Sequence, residues 1–331
     1  MGVQPLTTHQ QLERLIELGI KSSPRNIQKD EEALETIGYY KLKEFAMPFN
    51  INSNRQDGEN LNFNGVSMKQ LISRYFQDKN LRVNVLHSIE SIEVTLQNQV
   101  AYLLGRKYKA FGYLNFTNWC NREKFKRFDV EKEQVYFKKK LLKKVKKSQL
   151  PDMQYGHNLN DDGFPTVWLM IDALTFGDTV NLLKYMSKTN LKAISESFDC
   201  TPSELLSWLE CLNLVRNVCC HNSDLLDIKF KTKPMVPANY AENLYRVKTG
   251  HYTDKIAIAI FIIQQLMLSV NSNYDFGAIE QALYNIIGQS DEAAHTLGFA
   301  DGKSILALHV SHSRRKDKKS NGHKRRTKRK H

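Results

Sequence analysis

A chain of 331 residues, 41% hydrophobic and well supplied with aromatics, is long enough to bury one large core or two modest ones, which excludes a linear peptide and a wholly unfolded chain. Its net charge of +13 is segregated: residues 312–331 hold eleven Lys/Arg against one Asp, residues 135–148 hold seven Lys and no acid, and the remainder is −4. Such blocks attract polyanions by counterion release, so nucleic acid is the expected partner, ahead of an anionic membrane surface or a tail that only aids solubility. Five cysteines, Cys120, Cys200, Cys211, Cys219 and Cys220, form no C-x-x-C spacing and read as reduced, buried thiols of a cytoplasmic protein. The first residues lack a signal-peptide pattern, and the longest apolar stretch, Ile256 to Ile263, falls short of the roughly 20 residues of a membrane span. No membrane segment is expected.

Residues 8–20 place Leu12, Leu15 and Ile16 on one helical face, and residues 28–46 repeat the pattern with Leu34, Ile37, Leu42 and Phe45. These two helices predict an N-terminal hairpin, followed by an Asn/Gly-rich loop over 50–65. Ser67 with Gln70 forms a capping box that starts a helix carrying Leu71, Ile72, Tyr75 and Phe76. A longer helix follows, with the core stripe Leu81, Val85, Ile89, Ile92, Leu96 and Val100.

Residues 111–157 mix aromatics, turn residues and the Lys run, which predicts an insertion with one basic helix. Helix resumes over 167–186, interrupted at Phe176-Gly177-Asp178. Thr201-Pro202-Ser203-Glu204 combines an N-cap, Pro at the first helical position and an acid three residues on, opening a helix that runs toward His221. An apolar helix over 254–270 and an amphipathic one over 276–287 complete the chain; the tail, 309–331, is expected to be disordered when free. The expected architecture is all-α, with a helical segment at 1–60 and a helical domain at 61–308 that carries the basic insertion around 111–160.

Arg216-Asn217-Val218-Cys219-Cys220-His221 closes the helix that begins at Pro202. Cleaving RNA without a metal takes a group that moves a proton near neutral pH and a cation for the phosphate; His and Arg supply both, and the substrate's 2′-hydroxyl is the nucleophile. On an ideal helix five residues advance about 500°, so the two side chains point roughly 140° apart. A homodimer with helix ends facing each other would solve that geometry; alternatively the helix breaks after Cys220. The bare spacing equally fits an ordinary helix end, where Arg and His favour the dipole.

Zinc at Cys219, Cys220 and His221 is disfavoured because adjacent helical ligands cannot both face one ion, and no metal or cofactor is expected. Glu90 and Glu93 lie one turn apart, a spacing that more often marks one solvated and one core-edge acid than a carboxylate pair. The aromatics Tyr39, Tyr40, Phe45, Trp168 and Phe176 have the helical spacing of core residues. Tyr136 and Phe137 adjoin the Lys run, where stacking on bases would be useful.

R-N-x-C-x-H after a Leu-rich helix resembles the signature of the Abi-like branch of HEPN proteins, small helical proteins of bacterial phage-defence loci. Further pieces agree in order: Ile37-Gly38-Tyr39-Tyr40-Lys41-Leu42, Leu81-Arg82 with Ile92-Glu93, Trp168, Leu174-Thr175-Phe176-Gly177, and Leu212-Asn213-Leu214-Val215-Arg216-Asn217. The resemblance covers roughly residues 10–230 and implies a HEPN-like helical bundle. It also implies Arg216 as phosphate binder, Asn217 as the polar partner that positions it, His221 as catalytic acid or base, and Glu93 as a companion that orients the Arg. After the motif this chain departs from the family, with Asn222-Ser223-Asp224.

The leading expectation is therefore an abortive-infection effector with metal-independent endoribonuclease activity. RNA would be held by Lys138, Lys139, Lys140, Lys143, Lys144, Lys146 and Lys147, and by Arg314, Arg315, Lys324, Arg325 and Arg326 of the tail. The alternative is a catalytically silent RNA-binding protein assembled with a small structured noncoding RNA. A DNA-binding regulator is weaker, because no helix-turn-helix signal is evident.

Overall fold

The computed structural model describes residues 4–52, 61–63, 65–248 and 250–308. The basic tail with Arg314, Arg315, Lys324, Arg325 and Arg326 lies outside the described residues, as does most of the Asn/Gly-rich stretch. The fold is all-α, with one small two-stranded sheet among the described residues.

Three helices come first: α1 (Thr8–Glu17), α2 (Ile27–Ile37) and α3 (Tyr39–Ala46). The single helix expected over 28–46 is thus two, because Gly38 sits at φ +95°, a left-handed conformation that costs a residue without Cβ little and ends α2. Leu12 and Leu15 are buried, whereas Ile16 is 45% exposed despite its place in the apolar pattern.

The backbone of the molecule is α4, Met68–Tyr108, a single helix of 41 residues where sequence patterning suggested two. Its capping box is formed as expected, with Ser67 and Gln70 each satisfying the other's backbone N–H. Leu81, Val85, Ile89, Ile92, Leu96 and Val100 are all fully buried. Burial of each such side chain contributes about 1.5–3 kcal/mol, so this stripe is a principal source of stability. Near its end Gly105 leaves room for the ring of Trp168: a Cβ there would lie 2.9 Å from Trp168 Cζ2. Trp168 is 52% exposed, so the ring covers the helix from outside.

The insertion is irregular apart from α5, Arg127–Val145, which buries Val130, Phe137, Leu141 and Val145 and exposes the opposite side. Then follow α6 (Val167–Met170), α7 (Phe176–Tyr185), α8 (Lys188–Ser197), which periodicity did not reveal, and α9 (Pro202–Cys220). The interruption expected at Phe176 is the start of α7, where Thr175 and Asp178 form another capping box. Strands β1 (Arg246–Lys248) and β2 (His251–Tyr252) pair antiparallel. The chain ends in α10 (Ile256–Val270), buried on almost every side, α11 (Gly277–Ile287) and α12 (Asp291–Leu297).

One core cluster gathers α4 from Leu81 onward with α5 to α12; a smaller one joins α1, α2 and α3 to Phe63, Val66, Met68 and Leu71. α4 belongs to both, so the N-terminal helices rest on the same rod that supports the rest. Among the described residues no helix is long and apolar enough to cross a membrane.

Candidate functional site

The site forms where α4, α7 and the last turns of α9 meet. Leu205, Leu209, Leu212 and Val215 are fully buried and fix the rotation of α9 about its axis, which leaves Glu210, Leu214 and Asn217 exposed and Arg216 at the edge. The Arg216 guanidinium lies 3.9 Å from the Glu93 carboxylate of α4, an ion pair too long for a hydrogen bond. Its side chain is 33% exposed, against 14% for Glu93, and it makes no hydrogen bond among the described residues. Its donors are therefore open to a ligand.

Glu93 is held from a second side. Burial raises its pKa, opposed by the charge of Arg216 and by the backbone N–H of Phe176, which is turned toward it at the first position of α7. A carboxylate at that place meets one of the helix's unpaired amides and the positive end of its dipole. The first turn of α7 also packs closely on α9: a Cβ on Gly177 would lie 3.1 Å from Asn213 Oδ1. Three short segments distant in sequence, Ile92-Glu93, Leu174 to Gly177 and Leu212 to Asn217, thus converge on one point.

His221 is the residue at which α9 stops. Its N–H still donates to the Asn217 carbonyl at 3.0 Å, and Asn222 turns the chain with φ +55°. The His221 side chain is exposed and, like that of Asn217, without a hydrogen-bond partner among the described residues. No hydrogen bond joins Asn217 or His221 to Arg216. Cys219 is buried and its neighbour Cys220 exposed, so the two thiols face opposite ways.

The segment after the motif is anchored by residues that had no assigned role in the sequence pattern. Asp78, fully buried on α4, accepts from Arg82 Nε and from the backbone N–H groups of Leu225 (2.8 Å) and Leu226 (3.1 Å). Arg82 Nη1 donates to Asn222 Oδ1 at 2.9 Å, Arg74 pairs with Asp227 at 2.6 Å, and Glu44 of α3 accepts from the Asp224 N–H. The clue was an Asp–Arg pair spaced i, i+4 inside an otherwise apolar stripe. The family departure at Asn222-Ser223-Asp224 is therefore part of this docking. Beside it opens a cleft of about 890 Å³ whose walls include Phe49, Arg74, Asp224, Asp227 and His295.

Asp224 makes this segment sensitive to pH. Burial first, then the charges of Asp227 and Asp78, raise its carboxyl to about 8, with Arg74 opposing. A pKa raised in the folded state means that the native protein binds the proton more tightly, so the stabilisation is complete below the unfolded value of 3.8 and is lost as pH rises through about 8. Urea unfolding of wild type is expected to show falling stability over that interval, and Asp224→Asn should flatten the profile. An Asp224→Asn curve parallel to wild type would assign the dependence elsewhere.

The lysines expected to hold RNA divide into two groups. Lys139 and Lys143 are exposed on the outer side of α5, and Lys146 and Lys147 are exposed in the turn that follows it. Lys140 and Lys144 instead both bind Asp178 at 2.5 Å, and Lys138 lies over the Phe164 ring at 5.8 Å. Tyr136 is 59% exposed, whereas Phe137 packs in the core against Tyr113 and Phe116 and offers no face for stacking.

A model of the Abi-like protein family matches residues 32–227, from α2 to the segment docked on Asp78. No curated protein and no solved structure matches the chain.

Proposed function

The chain belongs to the Abi-like protein family, and from that premise we propose that it is an abortive-infection effector with a HEPN-type, metal-independent endoribonuclease site at Arg216 and His221. The observation that carries this reading is an under-used pair of groups on one helix end. Among the described residues Arg216 is partly exposed and held by a long ion pair, and the exposed His221 side chain has no hydrogen-bond partner. A guanidinium with open donors suits a phosphate, and an exposed imidazole suits proton transfer.

In this mechanism Arg216 binds the scissile phosphate, Glu93 limits where the guanidinium points, and His221 moves a proton to or from the reacting oxygens. The substrate's 2′-hydroxyl attacks the adjacent phosphorus, the 5′-oxygen leaves, and a 2′,3′-cyclic phosphate remains. The exposed lysines of α5 and the basic tail would hold the RNA backbone through contacts that carry no base information.

Within one chain no hydrogen bond joins Arg216 to His221, so the cleaving form is proposed to be a homodimer in which two helix ends share a phosphate. Incubation of RNA with the protein in EDTA is expected to yield 2′,3′-cyclic phosphate ends, and sedimentation of RNA-free active protein is expected to show a dimer. Loss of cleavage on adding EDTA would overturn the chemistry, and a strictly monomeric active species would overturn the shared site. The second reading, a silent protein bound to a structured noncoding RNA, draws on the segregated charge of α5 and the tail. A single defined RNA co-purifying with an inactive protein would favour it.

A further inference from the structure

The two lysines withdrawn from the surface of α5 lead back to the candidate site. Lys140 and Lys144, one turn apart, both place their ammonium groups on the carboxylate of Asp178. That carboxylate also accepts the Thr175 backbone N–H at 3.0 Å, and the Asp178 N–H donates to Thr175 Oγ1 at 3.3 Å. Asp178 therefore holds the first turn of α7 from within while α5 holds Asp178 from without. The same turn presents the Phe176 N–H to Glu93, and Glu93 is the charge that faces Arg216.

We propose that Asp178, clasped by Lys140 and Lys144, is a positioning residue for Arg216, acting through the first turn of α7 and Glu93. The inference rests on the proposed role of Arg216 in holding the scissile phosphate. The connection is tightest at its Asp178 end. Asp178 is only 13% exposed, two ammonium groups compensate its charge, and the turn it holds approaches α9 at Asn213, where a Cβ on Gly177 would lie 3.1 Å from Oδ1. Two ammonium groups on one carboxylate leave a surplus positive charge, with Lys140, 41% exposed, the outer of the pair. RNA lying on Lys139 and Lys143 therefore sits on the helix that sets the geometry of the site.

Asp178→Asn separates this role from simple neutralisation of lysines, because the two predict different responses of kcat. If Asp178 only masks charge, freeing Lys140 and Lys144 strengthens RNA binding and leaves turnover unchanged. If it positions Arg216, KM for poly(U) falls or holds while kcat drops by about tenfold or more, since small displacements of a catalytic group are costly. Combined with Glu93→Gln, Asp178→Asn should then add nothing further, as expected of residues in one chain of contacts. Asp178→Glu keeps a carboxylate for the clasp and is expected to restore part of the kcat lost in Asp178→Asn, while urea unfolding of both variants controls for a folding defect. An unchanged kcat in Asp178→Asn, or effects that multiply with Glu93→Gln, overturns the proposal. Should wild type cleave no RNA, the nuclease reading fails by itself, and the clasp is read from binding of the dinucleotide UpU. Loss of UpU binding in both Arg216→Ala and Asp178→Asn supports it, and loss in Arg216→Ala alone overturns it.

Discussion

Replacing His221 with Ala is expected to lower the rate of RNA cleavage about 10²- to 10⁴-fold while leaving RNA affinity nearly intact. The reason lies in the different situations of the two motif residues. The His221 side chain is exposed and makes no hydrogen bond among the described residues, so its removal should not disturb the helix end. Arg216→Ala should behave otherwise, lowering affinity and rate together, because a guanidinium binds the phosphate in the ground state as well as in the transition state. The comparison takes initial rates, end chemistry and binding for wild type and both variants. Equal, negligible cleavage by wild type and His221→Ala, with binding lost only in Arg216→Ala, would make the motif a phosphate grip and not a nuclease.

The largest expected effect on stability is at Asp78. Asp78→Ala strips a buried guanidinium of its counter-charge and leaves the N–H groups of Leu225 and Leu226 without their acceptor. Removing one partner of a buried ion pair costs about 3–5 kcal/mol, far more than breaking an exposed pair, because the remaining charge cannot return to water. The Arg82 side chain is 4% exposed and its Nη2 already lacks a partner, so little relaxation is open to it. Urea unfolding at constant pH gives the measurement, and a loss below about 1 kcal/mol would mean that water reaches the pair. Cleavage should fall as well, since the same carboxylate docks the segment that leaves His221.

Much of the helical framework is legible in the chain because the signals are local. The capping boxes at Ser67 and Thr201 and the apolar stripe from Leu81 to Val100 depend on neighbours within one or two turns, and all are present in the fold. The motif at Arg216 and His221 was visible too, but only through the order of short family segments, since two residues five apart carry little information alone. Where local signals compete, the sequence misleads. Gly38 divides a continuous apolar pattern, and the stretch between Phe76 and Leu81 continues as helix because α3, α9, α10 and α11 pack along α4.

What only the tertiary structure decided is which charges are already used. A lysine run reads as uniformly available, yet Lys140 and Lys144 are bound by an aspartate more than thirty residues away, and Lys138 lies against Phe164. Asp78 and Arg82 look like an ordinary helical pair, yet they fasten a segment some 140 residues downstream. The physical reason is common to these cases. Helix formation and capping are settled by hydrogen bonds within a few residues, whereas the worth of a charge depends on its burial and on the partner that packing brings to it. The sequence by itself determined most of the helical framework and named the arginine and histidine; the fold alone decided where Gly38 divides a helix, that α8 forms, and that Glu93, the start of α7 and the basic helix stand around the motif.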